Sequence, residues 1–300
     1  KKDWHVSMRG SASIINYLWF ELFDKALEVM PNQSKGLFLC ENQSWERALI
    51  YAWNKHNHGE LLAVAHSTIR FWDLRYYIDS RTIDSSQDYS VPKADITVLN
   101  GNLAINAYHE FGCFDNSFVE CEALRYGYLD KYQPRLRREK KKEESIKVLI
   151  LGDYMPSATL KMLELLEVSS INMQGKYIFT IKPHPNFIVK SSDFPMLKLE
   201  VTMNPLGEIM SEFDVAYSGN LTTAALDAYL AGLPVIVAFD DTELNFSPLR
   251  RCEGVSFVSN SEELATALVD VNWNEGIKPI PREFFCLDSN LTKWKELLSL

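Results

Sequence analysis

A single histidine stands at a fixed point in the segment FTIKPHPN, residues 179–186. Proline fixes its own φ, so Pro183 and Pro185 stiffen the backbone on both sides of His184. An imidazole held in this way can donate a hydrogen bond to a phosphate and help to neutralise charge on a leaving nucleotide. We therefore predict that His184 is catalytic and binds the phosphate of a nucleotide ligand. Lys182 is predicted to add positive charge beside it.

A second polar turn occurs in YSGNLTTAALDAYLAGLPVI, residues 217–236. An apolar strand leads into Ser-Gly-Asn, and two threonines then open a predicted helix. Unpaired N–H groups at a helix start favour an anion, and Gly219 lets a phosphate approach the backbone closely. An ordinary helix cap, worth about 1 kcal/mol, is the alternative. The predicted donor-binding residues of this turn are Ser218, Gly219, Asn220, Thr222 and Thr223.

Polar residues also follow the other predicted strands. Gly152 and Asp153 come after IKVLIL and extend the predicted donor site. Glu41 is the first residue after GLFLC, where it can act as a general base or nucleophile, with capping as its alternative. Glu46, five residues on, fits a first-turn acid that compensates the helix dipole. The predicted substrate contacts, for which structural roles stay open, are His66, Arg70 and Asn100.

The elements that must position these residues alternate along the chain. Apolar runs alternate with helical patterns in both halves, as in GLFLC, LLAVAH and ADITVLNG, and later in IKVLILG, KYIFTIKPHP, FDVAYSG and LPVIVAFD. This alternation predicts parallel sheets covered by helices. Ligands bind at the carboxyl ends of such strands. The predicted fold class is α/β, with two Rossmann-like domains whose parallel sheets face each other across a cleft.

A charged break separates the two halves. Residues 131–145, KYQPRLRREKKKEES, lack apolar periodicity, which fits a solvated linker or a basic patch that touches an anionic membrane surface. The predicted domains are residues 1–135 and residues 136–300. The chain starts with KKDW and shows no recognisable first strand, so we expect that an N-terminal segment is missing.

Composition excludes several functional classes. The 300 residues carry a net charge of -9, which argues against broad binding of nucleic acid. The sequence contains no G-x-G-x-x-G motif and no P-loop, which argues against a dehydrogenase and against an NTPase. It also contains no cluster of metal ligands, so we predict no metal site. The five cysteines show no C-x-x-C spacing, and no apolar run reaches the roughly 20 residues of a membrane span. We expect a cytoplasmic protein, with peripheral contact to the inner membrane face as a further prediction.

The two motifs together carry a family resemblance. KPHPN with YSGNLTTAALDAYLAGLPVI resembles the donor domain of GT-B glycosyltransferases that have a His-Pro motif followed by a Ser/Thr motif. That group includes bacterial sialyltransferases and Kdo (3-deoxy-octulosonate) transferases. The first half, in LCENQSWERALIYAW, GELLAVAHSTIRFWDLRYY, VLNG and VECEALRYGYL, is similar to bacterial surface-carbohydrate (O-antigen) biosynthesis proteins of GT-B type. The motif pair also occurs in CDP-glycerol glycerophosphotransferases.

The resemblance implies a GT-B-like fold, with residues 1–135 as the acceptor-side domain and residues 136–300 as the nucleotide-sugar-binding domain. It also implies a function and roles for the residues above. It implies that His184 and the turn of residues 218–223 hold the phosphate of a CMP-activated sugar, and that Glu41 is the catalytic carboxylate. The expected enzyme moves a 3-deoxy-ulosonate, such as Kdo or a nonulosonate, to a lipid-linked or oligosaccharide acceptor. It needs no cofactor besides its nucleotide-sugar donor. Alternatives are a CDP-glycerol or CDP-ribitol phosphotransferase, a sugar-nucleotide epimerase and a non-catalytic GT-B module.

Overall fold

The chain forms two compact units, which we call unit 1 and unit 2. The computed structural model describes residues 2–70, 72–76, 79–82, 90–110, 118–131, 144–171, 173, 177–271 and 281–299. Unit 1 comprises Lys1–Gly127 and Arg282–Leu300, and unit 2 comprises Tyr128–Pro281. The domain boundary expected between residues 135 and 136 lies outside the described residues. The sequence placed all of residues 136–300 in the second domain, whereas the contacts group Arg282–Leu300 with unit 1.

Helices and strands alternate in both units. The first part of the chain contains α1 (Lys2–Arg9), α2 (Ser11–Val29), β1 (Lys35–Cys40), α3 (Ser44–Lys55), β2 (Glu60–Ala65), β3 (Ile96–Leu99), α4 (Asn102–Glu110) and β4 (Phe118–Glu120). It continues with β5 (Ile146–Leu151), α5 (Pro156–Ser170), β6 (Tyr177–Lys182), β7 (Glu200–Val201), α6 (Leu206–Ile209), β8 (Val215–Gly219), α7 (Ala224–Leu230), β9 (Val235–Ala238), β10 (Val255–Val258) and α8 (Ser261–Asp270). The last elements are α9 (Pro281–Phe284) and α10 (Thr292–Leu298).

The sheet of unit 1 has the strand order β1-β2-β3-β4, and all its pairs are parallel. Successive side chains of a strand point to opposite faces, so β2 contributes to two cores. Leu61 and Ala63 pack with residues of α2 and α3 on one face. Leu62 and Val64 pack with Trp294 of α10 on the other face. The C-terminal helix therefore supplies part of the cover of this sheet.

Glu122 attaches α10 to unit 1. Its buried carboxylate accepts the backbone N–H groups of Lys293 at 2.8 Å and Trp294 at 3.1 Å. The Trp294 indole donates to the backbone oxygen of Glu122 at 2.8 Å. A carboxylate at a helix start satisfies N–H groups that have no partner within the helix. These contacts explain why the last residues belong to unit 1.

The sheet of unit 2 has the strand order β10-β9-β8-β5-β6-β7, again with parallel pairs. In the register, Leu151 of β5 is paired with Lys182 of β6 on one side and with Ser218 of β8 on the other. The carboxyl ends of these three strands therefore meet at one edge. The core on one face is formed with α5 and α8. Among the described residues, no helix combines the length and the apolar character that a membrane span requires.

Candidate functional site

Gly152 joins the end of β5 to the His184 turn. Its N–H donates to the Lys182 oxygen at 3.0 Å. A Cβ at this position would lie 3.0 Å from Pro183 Cα and 3.1 Å from the His184 nitrogen, closer than side chains normally pack. The glycine therefore lets the Lys-Pro-His backbone lie directly on the end of the neighbouring strand.

The His184 turn orients the imidazole. The Phe187 N–H donates to the His184 oxygen at 2.9 Å, and the Asn186 N–H donates to His184 Nδ1 at 3.2 Å. Since Nδ1 accepts, the neutral ring carries its proton on Nε2. The Tyr154 ring lies 6.5 Å away in an edge-on arrangement. This half-buried ring is thus prepared to donate a hydrogen bond from Nε2.

Ser218 and Gly219 end the neighbouring strand β8. Ser218 is completely buried, and its Oγ has no hydrogen-bond partner among the described residues. A buried hydroxyl without a partner costs free energy, which a bound ligand or water can recover. A Cβ on Gly219 would lie 3.3 Å from Met162 Sδ and 3.8 Å from Asp153 Oδ2. Gly219 therefore lets its backbone lie close to Met162, in the second turn of α5, and to the Asp153 carboxylate.

Asp153 is held inside unit 2. Its side chain is fully buried, and Oδ1 accepts the Met155 N–H at 2.9 Å. Its own N–H donates to Thr159 Oγ1 at 2.9 Å. These bonds join the end of β5 to the start of α5. The structure gives Asp153 a role in shaping the edge on which His184 lies.

The polar residues after Gly219 serve the local fold. Asn220 donates from Nδ2 to the Leu244 oxygen at 2.9 Å and accepts the Ser247 N–H at 3.1 Å, which fixes the loop after β9. The Thr222 hydroxyl accepts the Ala224 N–H at 3.4 Å. Helix α7 begins at Ala224, so the expectation that Thr222 and Thr223 lie inside it was wrong. Both threonines are half-buried just before its start.

Lys182 is the last residue of β6 and is half-buried. Its Nζ donates to the Met203 oxygen at 3.4 Å, at the limit of a hydrogen bond. The structure thus places Lys182 next to the His184 turn, with its ammonium group directed to the segment after β7.

In unit 1, Glu46 fixes the turn that presents Glu41. The Glu46 carboxylate is 2% exposed and accepts the N–H groups of Glu41 at 2.8 Å and Asn42 at 3.0 Å. Asn42 has a φ of 54°, in the left-handed region. Glu46 is the third residue of α3, the position from which a glutamate reaches back past a helix start. Its spacing supported a helix-start role, but its hold on the Glu41 turn was not predicted.

Glu41 and His66 form a pair at the carboxyl ends of β1 and β2. Glu41 Oε1 lies 3.4 Å from His66 Nε2, and the two side chains are 40% and 30% exposed. His66 Nδ1 is buried without a partner among the described residues. A carboxylate that is reachable and oriented by an imidazole suits proton transfer to or from a bound hydroxyl.

The other predicted substrate contacts differ from this pair. Asn100 is 5% exposed and donates from Nδ2 to the Ser67 oxygen at 3.1 Å, so its amide is engaged within the fold. Arg70 lies with its terminal nitrogen 3.9 Å from Asp73, whose carboxylate also binds Arg75 at 2.7 Å. The structure therefore brings Glu41 and His66 together and uses Asn100 to connect loops.

Two further observations concern thiol and metal-binding groups. Burial raises the pKa of the Cys40 thiol, one residue before Glu41, to about 12, so this thiol is protonated at neutral pH. Among the described residues, no group of three or more His, Cys, Asp and Glu side chains could hold a metal ion.

Comparison with known proteins identifies the fold. Neither a family model nor a curated protein matches the sequence. The UDP complex of Staphylococcus aureus MnaA is similar, with 13% identity and a TM-score of 0.58 over 97% of this chain and 83% of that one. So are the UDP-GlcNAc 2-epimerase of Methanocaldococcus jannaschii (12%, 0.56, over 97% and 84%) and the sucrose-phosphate synthase of Thermosynechococcus elongatus (12%, 0.53, over 93% and 78%). The chain thus has a GT-B-like α/β fold with two Rossmann-like domains, and the predicted fold class is confirmed.

Proposed function

We propose that this protein is a GT-B glycosyltransferase that moves a sugar from a nucleotide donor to an acceptor hydroxyl. The observation that carries the proposal is His184, whose Nδ1 accepts the Asn186 N–H and whose Nε2 is thereby the N–H donor at the carboxyl edge of the unit 2 sheet. The similar structures support a nucleotide-sugar ligand, since their names include UDP and UDP-GlcNAc.

Unit 2 supplies the donor site in this proposal. The anomeric carbon–oxygen bond to the donor phosphate breaks, and the nucleotide leaves with the electron pair. His184 donates a hydrogen bond from Nε2 to that phosphate. The Ser218 hydroxyl, whose Oγ has no hydrogen-bond partner among the described residues, forms a second hydrogen bond to it. Gly219 leaves room for close approach. Hydrogen bonds to a charged phosphate are about twice as strong as neutral ones, so these groups stabilise the leaving charge.

Unit 1 supplies the base. Glu41 takes the proton of the acceptor hydroxyl while the new bond forms between that oxygen and the anomeric carbon. His66, 3.4 Å from Glu41, orients the carboxylate. Glu46 holds the turn through the N–H groups of Glu41 and Asn42.

The donor class is a further part of the proposal. The likeness of KPHPN and the Ser-Gly-Asn turn to Kdo and sialic-acid transferases supports a CMP-linked 3-deoxy-ulosonate and an acceptor of the bacterial surface glycan. The names of the similar structures include UDP, which supports a UDP-linked sugar as the competing donor. The nucleotide itself therefore has to be measured first.

A sugar-nucleotide epimerase is the second candidate. Two of the similar structures are named UDP-GlcNAc 2-epimerase, one from Methanocaldococcus jannaschii and one, as a putative enzyme, from Listeria monocytogenes, with TM-scores of 0.56 and 0.54. An epimerase rearranges the donor alone, whereas a transferase consumes it only when an acceptor is present.

Calorimetric titration with CMP, CDP, UMP, UDP and ADP tests the proposal. We expect one pyrimidine nucleotide to bind, and we expect His184→Ala to lower the affinity for it at least tenfold. A tenfold change corresponds to about 1.4 kcal/mol, which is just below the roughly 1.5–3 kcal/mol of a charged hydrogen bond. His5→Ala, an exposed histidine of α1, is the matched control.

A second measurement separates the two enzymes. The sugar nucleotide of the preferred base is followed by NMR without an acceptor, with wild type and Glu41→Gln. Conversion to an epimer without acceptor would establish the second candidate. Failure of a folded protein to bind any of the five nucleotides would overturn the proposed function and leave the non-catalytic module.

A further inference from the structure

A row of apolar side chains on α2 faces away from the rest of unit 1. Trp19 and Phe23 stack and lie against Trp45 of α3, so this side of α2 is the packed one. Ile14, Leu18 and Leu22, spaced four residues apart, lie on another side of the helix and are 63%, 59% and 55% exposed. A single exposed leucine is ordinary, but an aligned row indicates a contact surface.

Strand β1 presents a second exposed apolar surface, on the sheet face opposite α2. Within the described residues it pairs only with β2, so its second edge is open. Phe38 and Cys40 are buried under α2 and α3, whereas Leu37 and Leu39 on the opposite face are 48% and 57% exposed. Natural edge strands are usually protected by charges, prolines or bulges. The run GLFLC has none of these, since the charge of Lys35 stands only at its start.

We propose that β1 pairs antiparallel with β1 of a second copy of this chain around a two-fold axis at Phe38. This register sets Leu37 opposite Leu39 of the other copy and Lys35 opposite the other copy's Glu41. The exposed leucines then cover each other, and opposite charges face at both ends. The interface is isologous, so the assembly closes as a dimer and leaves no open β1 edge.

The same axis brings the two α2 helices together. A two-fold axis perpendicular to the sheet keeps both helices on one face of the joined sheet, and in the proposed dimer the rows of Ile14, Leu18 and Leu22 face each other there. With 19 residues, α2 is about 28 Å long and about 10 Å wide, and the six residues of β1 span about 20 Å. These dimensions give a contact of several hundred Å² on each chain, near the roughly 800 Å² of a standard interface.

The charges on α2 favour a protein partner over an anionic membrane. Glu21, Asp24 and Glu28 are on the same helix as the apolar row, where Lys25 pairs with Glu28 at 2.8 Å. Helices that lie on anionic lipid carry Lys and Arg on their polar face instead. Lys35 keeps its own partner, Glu60, at 3.0 Å, and gains the second carboxylate in the dimer.

Sedimentation velocity over a range of protein concentrations tests the dimer. We expect a species of twice 34.5 kDa, with the dimer dissociation constant raised at least tenfold by Leu39→Lys and by Leu18→Glu. Val168→Glu changes a similarly exposed residue, 54% exposed on α5 of unit 2, and is expected to leave the constant unchanged. Circular dichroism checks that each variant is folded.

A cross-link tests the register without adding charge. The double variant Leu37→Cys with Leu39→Cys is expected to form an intermolecular bond between positions 37 and 39, because directly opposed residues have Cα atoms about 4.5–5.5 Å apart. Leu39→Cys alone places no thiol opposite itself and is the control. A monomer at all concentrations, or a dimer that neither charged variant weakens, would overturn the proposal. Monomers that float with lipid vesicles would replace it with a membrane contact.

Discussion

Replacing Gly152 with alanine tests whether the end of β5 positions His184. The new methyl group would lie 3.0 Å from Pro183 Cα, 3.1 Å from the His184 nitrogen and 3.3 Å from the Lys182 oxygen. Carbon contacts are comfortable at about 3.5–4.0 Å, so the two segments must separate by about 0.5 Å. All three neighbours are backbone atoms, and none can turn aside as a flexible side chain would.

We expect two effects of this displacement. Overpacking of this kind costs about 1–3 kcal/mol, which lowers the stability of unit 2. The displaced imidazole also loses about half of a charged hydrogen bond worth about 1.5–3 kcal/mol, so nucleotide affinity falls about 4- to 13-fold. Calorimetric titration with the preferred nucleotide measures the affinity, and urea unfolding followed by far-UV circular dichroism measures the stability.

Two other glycines calibrate the result. A Cβ on Gly127 would meet no heavy atom within 4 Å, so Gly127→Ala is expected to behave like wild type. A Cβ on Gly219 would meet the Met162 side chain at 3.3 Å, and this side chain can shift, so Gly219→Ala is expected to lose less stability than Gly152→Ala. If Gly152→Ala binds and unfolds like wild type, the positioning argument for His184 fails.

Four further predictions concern stability and reactivity. Glu46→Ala is expected to lower the free energy of unfolding in urea by about 2–4 kcal/mol, because two N–H groups lose a charged acceptor. If Glu46→Ala lowers the free energy of unfolding no more than Glu46→Gln does, this explanation is contradicted. Trp294→Ala should cost about 3–5 kcal/mol in the same assay, because α10 no longer covers the sheet of unit 1, and an unchanged midpoint would refute that cover. Burial raises the pKa of the Cys40 and Cys121 thiols to about 12, so only about one thiol in ten thousand is ionised at pH 8. Native protein is therefore expected to resist iodoacetamide at both positions, which peptide mass mapping would show. A hydrogen bond from the Thr242 side chain lowers the pKa of Asp240, so the stabilisation that this carboxylate contributes is present above its ordinary pKa near 3.8 and is lost as the pH falls through the lower folded value. Asp240→Asn should therefore melt earlier than wild type at pH 6, and the difference in Tm should shrink as the pH is lowered below that ordinary value.

Local pattern was enough to predict most strands and helices. Runs such as GLFLC and IKVLIL are apolar and end in polar or glycine residues, and the strands lie there. The helix after β8 was placed too early, because a local sequence window cannot show that Asn220 bonds to residues 244 and 247 instead of starting the helix. The grouping of α10 with unit 1 depends on Glu122, about 170 residues away in sequence, and such a partner has no local signal.

The candidate site shows the same division. Periodicity predicts which polar residues follow strands, and Glu41 and His184 lie in such positions. It does not predict which of them the fold uses internally. The Asn100 amide bonds to Ser67, which the topology brings near, and Asp153 is buried and accepts the N–H of Met155 just before α5, whereas the Glu41 carboxylate stays 40% exposed. Accessibility is a property of the tertiary structure, so the sequence suggested more site residues than the structure leaves accessible.

The return of the chain to unit 1 has a consequence for synthesis on the ribosome. Unit 2 occupies a continuous stretch, Tyr128–Pro281, inside the sequence of unit 1. Its strands and helices all emerge before Trp294, which the sheet of unit 1 needs on its second face. Domains fold as units during translation, so we expect unit 2 to fold first. The nascent unit 1, although its strands are made first, keeps an uncovered sheet until Trp294 has left the exit tunnel, and a chaperone would be needed in this interval.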